Sequence, residues 1–233
     1  MPELKFGLTA PLPCSYLPNE DEQLVFLLPD QPLSPKLYQQ LLALNFRRSG
    51  EQVYTPHCPD CSACQSVRIN PIDFSPSRSQ RRLLNKAQRN ELTHKFVDKP
   101  SADYFPLFAD YITYKHADGS MFPPSREQLN TMLNCSWMKL HFLEQYRQQQ
   151  LVAVTIVDTT SDAYSAVYSF FHPSVSALSP GILAVLYLLQ CAQQNQKQWL
   201  YLGYQINECQ KMAYKAVFRP QQRFIQGQWH SFG

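Results

Sequence analysis

From residue 103 to residue 229 the hydrophobic pattern runs helix, helix, three strands, helix, strand, helix, strand. That order fits an α/β layer in which hairpin-joined antiparallel strands precede a helical crossover. A tight turn is enough to reverse a strand, whereas a parallel neighbour needs a long excursion. Strands are expected at 137–146, 151–158, 164–171 and 199–203, with a turn at 147–150 joining the first two. Helices are expected at 103–116, at 126–134 behind a Ser125 cap, and at 180–196, where eight apolar residues run unbroken from Ile182 to Leu189. Residues 208–218 pattern as a last helix and 223–229 as a closing strand.

The first third is loop-rich. A short strand is expected at 24–28, and Ser34-Pro35 opens a helix running to Phe46. Residues 47–64 carry turn residues and no periodicity, 65–70 alternate as a strand, and 77–92 are helical. Asp98-Lys99-Pro100-Ser101 breaks the pattern. Two units are therefore expected, a cysteine-containing subdomain with a basic helix at 1–97 and a mixed-sheet domain with helices at 98–233.

Composition removes several classes of function. Of 233 residues 44% are hydrophobic and 17% charged, enough apolar material for a packed core. Glycine occurs only 7 times against 18 prolines, and neither GxGxxG nor GxxxxGK[ST] is present, so no glycine-rich phosphate cradle is expected. The longest apolar run is far short of the roughly 20 residues of a membrane span. Pro2, Glu3, Lys5, Pro11 and Pro13 interrupt the first 18 residues, leaving no signal-peptide core; a cytoplasmic chain is expected.

Charge is unevenly placed. Residues 78–99 hold seven basic and two acidic side chains, 7 − 2 = +5, against +3 for the whole chain. On a helix, Arg78, Arg81, Arg82, Lys86 and Arg89 fall within an arc of roughly 140°, with Leu83, Leu84 and Ala87 opposite. No acids stand among them to pair at i,i+4, so the stripe suits a phosphate backbone rather than a solvated mixed face.

Cys58-Pro-Asp-Cys61-Ser-Ala-Cys64 offers three thiols at close spacing, with Cys14 available from the N-terminal loop. Four thiolates would suit zinc or an iron–sulfur cluster; reduced thiols bracing a loop are the alternative. Cys135, Cys191 and Cys209 are isolated, as small core residues often are. The six histidines make no HExxH and no close pair, and no GxSxG elbow occurs. The chain offers no evident covalent nucleophile.

The element order is that of the acyltransferase fold of N-acetyltransferases. Their coenzyme A turn, Q/R-x-x-G-x-G/A, is absent, since the chain reads Val175-Ser-Ala-Leu-Ser-Pro-Gly181 there. More specific blocks are Phe46-Arg-Arg-Ser-Gly50, Tyr54-x-Pro-x-Cys58-x-x-Cys61-x-x-Cys64, Val167-Tyr-Ser-Phe-Phe-His-Pro173, the run Tyr201-Leu-Gly-Tyr-Gln-Ile-Asn-Glu-Cys-Gln-Lys-Met-Ala-Tyr-Lys215, and Phe218-Arg-Pro220. Together they resemble the aminoacyl-tRNA–protein transferases nearly end to end, in particular the short bacterial aspartate/glutamate leucyltransferases. The resemblance implies transfer of leucine from leucyl-tRNA to the N-terminal amine of proteins beginning with Asp or Glu, which marks them for degradation. Arginyl transfer is the near alternative, and a metal-binding, tRNA-binding module without catalysis is the other. Implied partners are a charged tRNA and acceptor proteins, with no DNA and no membrane. The eukaryotic N-terminal motif has a second cysteine where this chain has Leu17.

Such a reaction fits the missing nucleophile. An aminoacyl ester is already activated, so amine attack needs alignment and donors for the developing oxyanion. No cofactor is needed for transfer itself. The basic helix is the expected tRNA site. Arg47, Arg48, Lys211 and Arg219 are the candidates for the acceptor's carboxylate, and Tyr201, Tyr204 and Tyr214 for the donors. Apolar residues around Phe170 and Leu183 are expected to take the leucyl side chain.

Overall fold

The computed structural model describes residues 4–28, 33–119 and 121–233. The chain opens with β1 (Phe6–Leu8), β2 (Leu12–Pro13), β3 (Asp21–Glu22) and β4 (Leu24–Leu27). Helix α1 (Pro35–Ala43) starts where the Ser34 hydroxyl accepts the Leu37 N–H at 3.2 Å and Pro35 takes the first helical position. Then come β5 (Arg47–Ser49), β6 (Gln52–Pro56) and β7 (Gln65–Ile69). Helix α2 (Arg78–Arg89) is held at its start by a reciprocal Ser77–Gln80 capping box and is followed by β8 (Leu92–Val97). Helix α3 (Tyr104–Lys115) precedes α4 (Arg126–Leu133), whose Ser125–Gln128 pair forms a second box. The remainder is β9 (Leu140–Arg147), β10 (Gln150–Thr159), β11 (Ala163–Phe171), α5 (Pro180–Gln194), β12 (Trp199–Gln205), α6 (Gln210–Ala213), β13 (Gln221–Ile225) and β14 (Gln228–Phe232).

Eight strands form the main sheet in the order β14-β13-β7-β12-β11-β10-β9-β8; β11 and β12 are parallel and the other neighbours antiparallel. A four-stranded sheet, β1-β4-β6-β5, stands beside it. This is the expected mixed α/β architecture. One core lies under α5 and α2, built on Leu183, Leu186, Val67 and Leu200; the other lies under α1, α3 and α4, built on Tyr38, Phe108, Ile156 and Phe170. The eight-residue apolar run is apolar all round because α5 is buried nearly all round.

Four expectations are corrected. Residues 1–97 and 98–233 do not separate, because β7 and β8 belong to the main sheet; residues 1–3 and 29–32 of the first unit lie outside the description. Residues 47–56 form a hairpin, β5–β6, on a turn where Gly50 sits at φ +58°. The closing strand is also a hairpin, β13–β14, turned by Gln226 and Gly227, both at positive φ. Residues 208–218 hold one turn of α-helix and one of 3-10 helix, which brings Lys215 inside.

Candidate active site

β11 and β12 pair only at Ala163–Trp199, Tyr164–Leu200 and Ser165–Tyr201, although β11 continues to Phe171 and β12 to Gln205. Each strand bulges just past the last pair. The register of β11 on β10 skips Val167, and that of β12 on β7 skips Leu202, beside Gly203 at φ +76°. A bulge bends its strand and sharpens the twist, so two bulges on adjacent strands open a gap in mid-sheet. Residues 166–169 are half-buried there, while residues 152–158 of β10 beside them are buried. Backbone N–H and C=O groups along the gap have no strand across from them, the chemistry suited to a polar chain end and a developing oxyanion.

The Leu202 bulge has a second consequence. Residues three apart on a regular strand face opposite sides; with one extra residue between them, Tyr201 and Tyr204 face the same side. Both rings lie against the Arg47 guanidinium, with centroids at 5.0 and 5.5 Å. Arg47 is 5% exposed; its Nη1 donates to the carbonyls of Leu42 and Phe46, while Nε and Nη2 are buried without an acceptor. Lys215 is equally buried and donates from Nζ to the Tyr204 carbonyl and to Met212 Sδ. Burial, then the nearby Arg47, pushes its ammonium down to about 8.

The remaining expected carboxylate binders are placed elsewhere. Adjacent strand residues point to opposite faces, so Arg48 turns away from Arg47 and meets Asp158. Its Nε and Nη2 donate to Asp158 Oδ1 at 2.9 and 2.7 Å, its Nη1 to the Gly50 carbonyl, and Tyr38 donates to Asp158 Oδ2 at 2.8 Å. Both charged side chains are fully buried, so Arg48 holds β5 to β10 with all three guanidinium nitrogens engaged. Lys211 is exposed on α6 beside His116, whose pKa burial and Lys211 lower. Arg219 is exposed and donates to the carbonyls of Ala216 and Gly233.

The three tyrosines do not converge as oxyanion donors. Tyr204 donates its hydroxyl to the Asn45 carbonyl at 2.7 Å, Tyr201 packs edge-on against Trp229, and Tyr214 is 40% exposed under Lys215. Phe170 and Leu183 belong to the two cores on opposite faces of the sheet and cannot line one leucyl pocket. On α2, Arg78, Arg81, Arg82, Lys86 and Arg89 are all exposed, while Leu83, Leu84 and Ala87 pack inward, as expected. Lys86 reaches the Ala177 carbonyl, tying the basic face to the turn that leads into α5.

Cys14, Cys58, Cys61 and Cys64 line one cavity of about 370 Å³ together with Tyr16, Asp21, Glu22, Tyr54 and Tyr204. All four are free thiols; burial and the other three push Cys64 up to about 12. The donors are of the right chemistry for a soft metal, but among the described residues no three His, Cys, Asp or Glu side chains converge as a metal set. Cys191 and Cys209 are buried, as expected of core thiols, and Cys135 is half-buried.

Sequence reasoning missed Asp158 and Lys215. An acid closing the apolar run 151–157 and a lysine between Met212 and Phe218 were the available signals of buried charge.

Comparison with known proteins matches the same chain from both ends. The C-terminal region of the arginine-tRNA-protein transferase family matches residues 103–225 and its N-terminal region residues 12–82. The aspartate/glutamate leucyltransferase of Aeromonas hydrophila subsp. hydrophila is 45% identical over 226 residues, 97% of this chain and 94% of that one. Those of Pseudoalteromonas atlantica and Vibrio cholerae are 41% and 40% identical over 97% of this chain and 96% and 97% of theirs. Among solved structures, a DUF2156 domain from Agrobacterium fabrum and L-PGS from Bacillus licheniformis superpose with TM-scores of 0.48 and 0.46 at 13% and 12% identity, covering 74% and 62% of this chain and 52% and 47% of theirs. Matches to both regions of the family model, with 40–45% identity to these leucyltransferases across 97% of the chain, make this chain a member of the arginine-tRNA-protein transferase family.

Proposed function

We propose that this chain moves leucine from leucyl-tRNA onto the α-amine of proteins whose first residue is Asp or Glu, generating a degradation signal. The observation carrying this reading is the gap between β11 and β12. The cations suited to RNA phosphates lie on α2, on the α5 side of the sheet, and Arg47 lies against the opposite core. A charged RNA end and a protein terminus approaching from the two faces meet where the sheet is open. The amine nitrogen bonds to the ester carbonyl carbon and the carbon–oxygen bond to the RNA 3′-oxygen breaks. That oxygen leaves with a proton given up by the amine. An α-amine has a pKa of roughly 7.7–8.0, so much of it is neutral near pH 7.5 without a strong base. Unpaired N–H groups along the gap suit the oxyanion.

The decisive assay incubates the protein with leucyl- or arginyl-tRNA and peptides beginning with Asp, Glu, Lys or Ala. Labelling of the Asp and Glu peptides from leucyl-tRNA alone is expected. Arginyl labelling would reassign the donor, equal labelling of all four peptides would remove the acceptor reading, and tRNA binding without product would make the chain a binding module.

A further inference from the structure

Arg47 and Lys215 are both cations, both 5% exposed, and both held against Tyr204, one over its ring and one on its carbonyl. Neither has a carboxylate partner: among the described residues the ion pairs are Arg48–Asp158, Lys139–Asp98 and His172–Asp110. Two like charges buried against the same residue without an ion-pair partner are costly, which explains their rarity in settled cores. The polar atoms around them are also unsatisfied. Of six buried side-chain atoms without a partner, four belong to Asn45, Arg47 and Ser66, which bond to, pack on or pair with Tyr204. Buried polar groups are nearly always satisfied, so a local concentration of orphans marks a place where a bound group completes the network.

We infer that Arg47 and Lys215 form a two-cation subsite for the side-chain carboxylate of the acceptor's first residue, Lys215 being a specificity-determining residue. The inference rests on the acceptor class proposed above. Arg47 supplies Nε and Nη2, two adjacent donors in the fork geometry a carboxylate accepts. Lys215 supplies the one ammonium N–H not engaged by Tyr204 and Met212. A carboxylate suits the place better than an RNA phosphate. The neighbouring cavity, walled by Tyr54 and Tyr204, also carries Asp21 and Glu22, which repel a polyanion and accept an amino terminus.

The test compares binding of two otherwise identical hexapeptides, one beginning with Asp and one with Asn, by calorimetry without tRNA. The full chain is expected to favour Asp by about tenfold or more, the size of a charge-assisted bond. Lys215→Met and Arg47→Met should each remove about tenfold of that preference, and Lys215→Arg should restore it. Because Lys215→Met removes an unpaired buried charge, the Tm of the free protein should hold or rise. Equal affinity of the unmodified chain for both peptides overturns the subsite, as does a preference that survives both Met variants. A lower Tm with equal loss for both peptides would make Lys215 structural and also overturns it. The transfer assay run alongside separates the two readings. No product with an intact Asp preference sinks transfer alone, and product with an unaltered preference in the variants sinks the subsite alone.

Discussion

At the residue scale, the adjacent arginines of β5 have opposite fates. Arg48 neutralises Asp158 in a place water does not reach, and removing one partner of a buried pair leaves the other charge uncompensated. Arg48→Ala should therefore lower stability by about 3–5 kcal/mol, read as a fall in denaturant midpoint, where Arg47→Met should not. A second prediction concerns pH. In the free enzyme kcat/KM should climb as the acceptor amine deprotonates and fall as Lys215 loses its proton above about 8. With Lys215→Arg the falling limb should disappear. For stability the sign is opposite. The unfolded lysine titrates near roughly 10.4, so between pH 8 and that value the unfolded chain binds more protons. This group's contribution to stability then rises with pH, and Lys215→Met should flatten that rise in a Tm-against-pH series.

At the element scale, the proposed function assigns RNA binding to α2 and the chemistry to the β11–β12 gap. Replacing Arg82 and Arg89 by Ala should weaken tRNA binding and make its salt dependence shallower by about 1–2 units of slope, with the acceptor KM unchanged. Ala166 is half-buried at the start of the gap, and Ala166→Phe should lower kcat while tRNA affinity and Tm hold. A Cβ at Gly203 would meet nothing within 4 Å, so Gly203→Ala should cost only the backbone strain of φ +76°, about 1–2 kcal/mol by thermal unfolding. The helices were legible from serine caps and the charged stripe, because both are local patterns. The β5–β6 hairpin was not: its strands are short, and its alternation is hidden because Arg47 and Arg48 are both buried, each against a different partner.

At the scale of the whole molecule, the sheet is a partition, with the α2 cations beside one core, Arg47 against the other, and an opening between β11 and β12. The sequence by itself determined the mixed α/β class, the basic helix and the family, because each is written in residues close together along the chain. Only the tertiary structure decided that Arg48 is a brace to an aspartate 110 residues away, that Tyr201 and Tyr204 share a face, and that Lys215 comes inside. Those outcomes depend on register, bulges and burial, which arise from pairing between distant segments and have no local signature. A charged side chain reads the same in sequence whether water or an aspartate surrounds it, and folding alone makes one arginine a brace and leaves two nitrogens of its neighbour buried and unpaired.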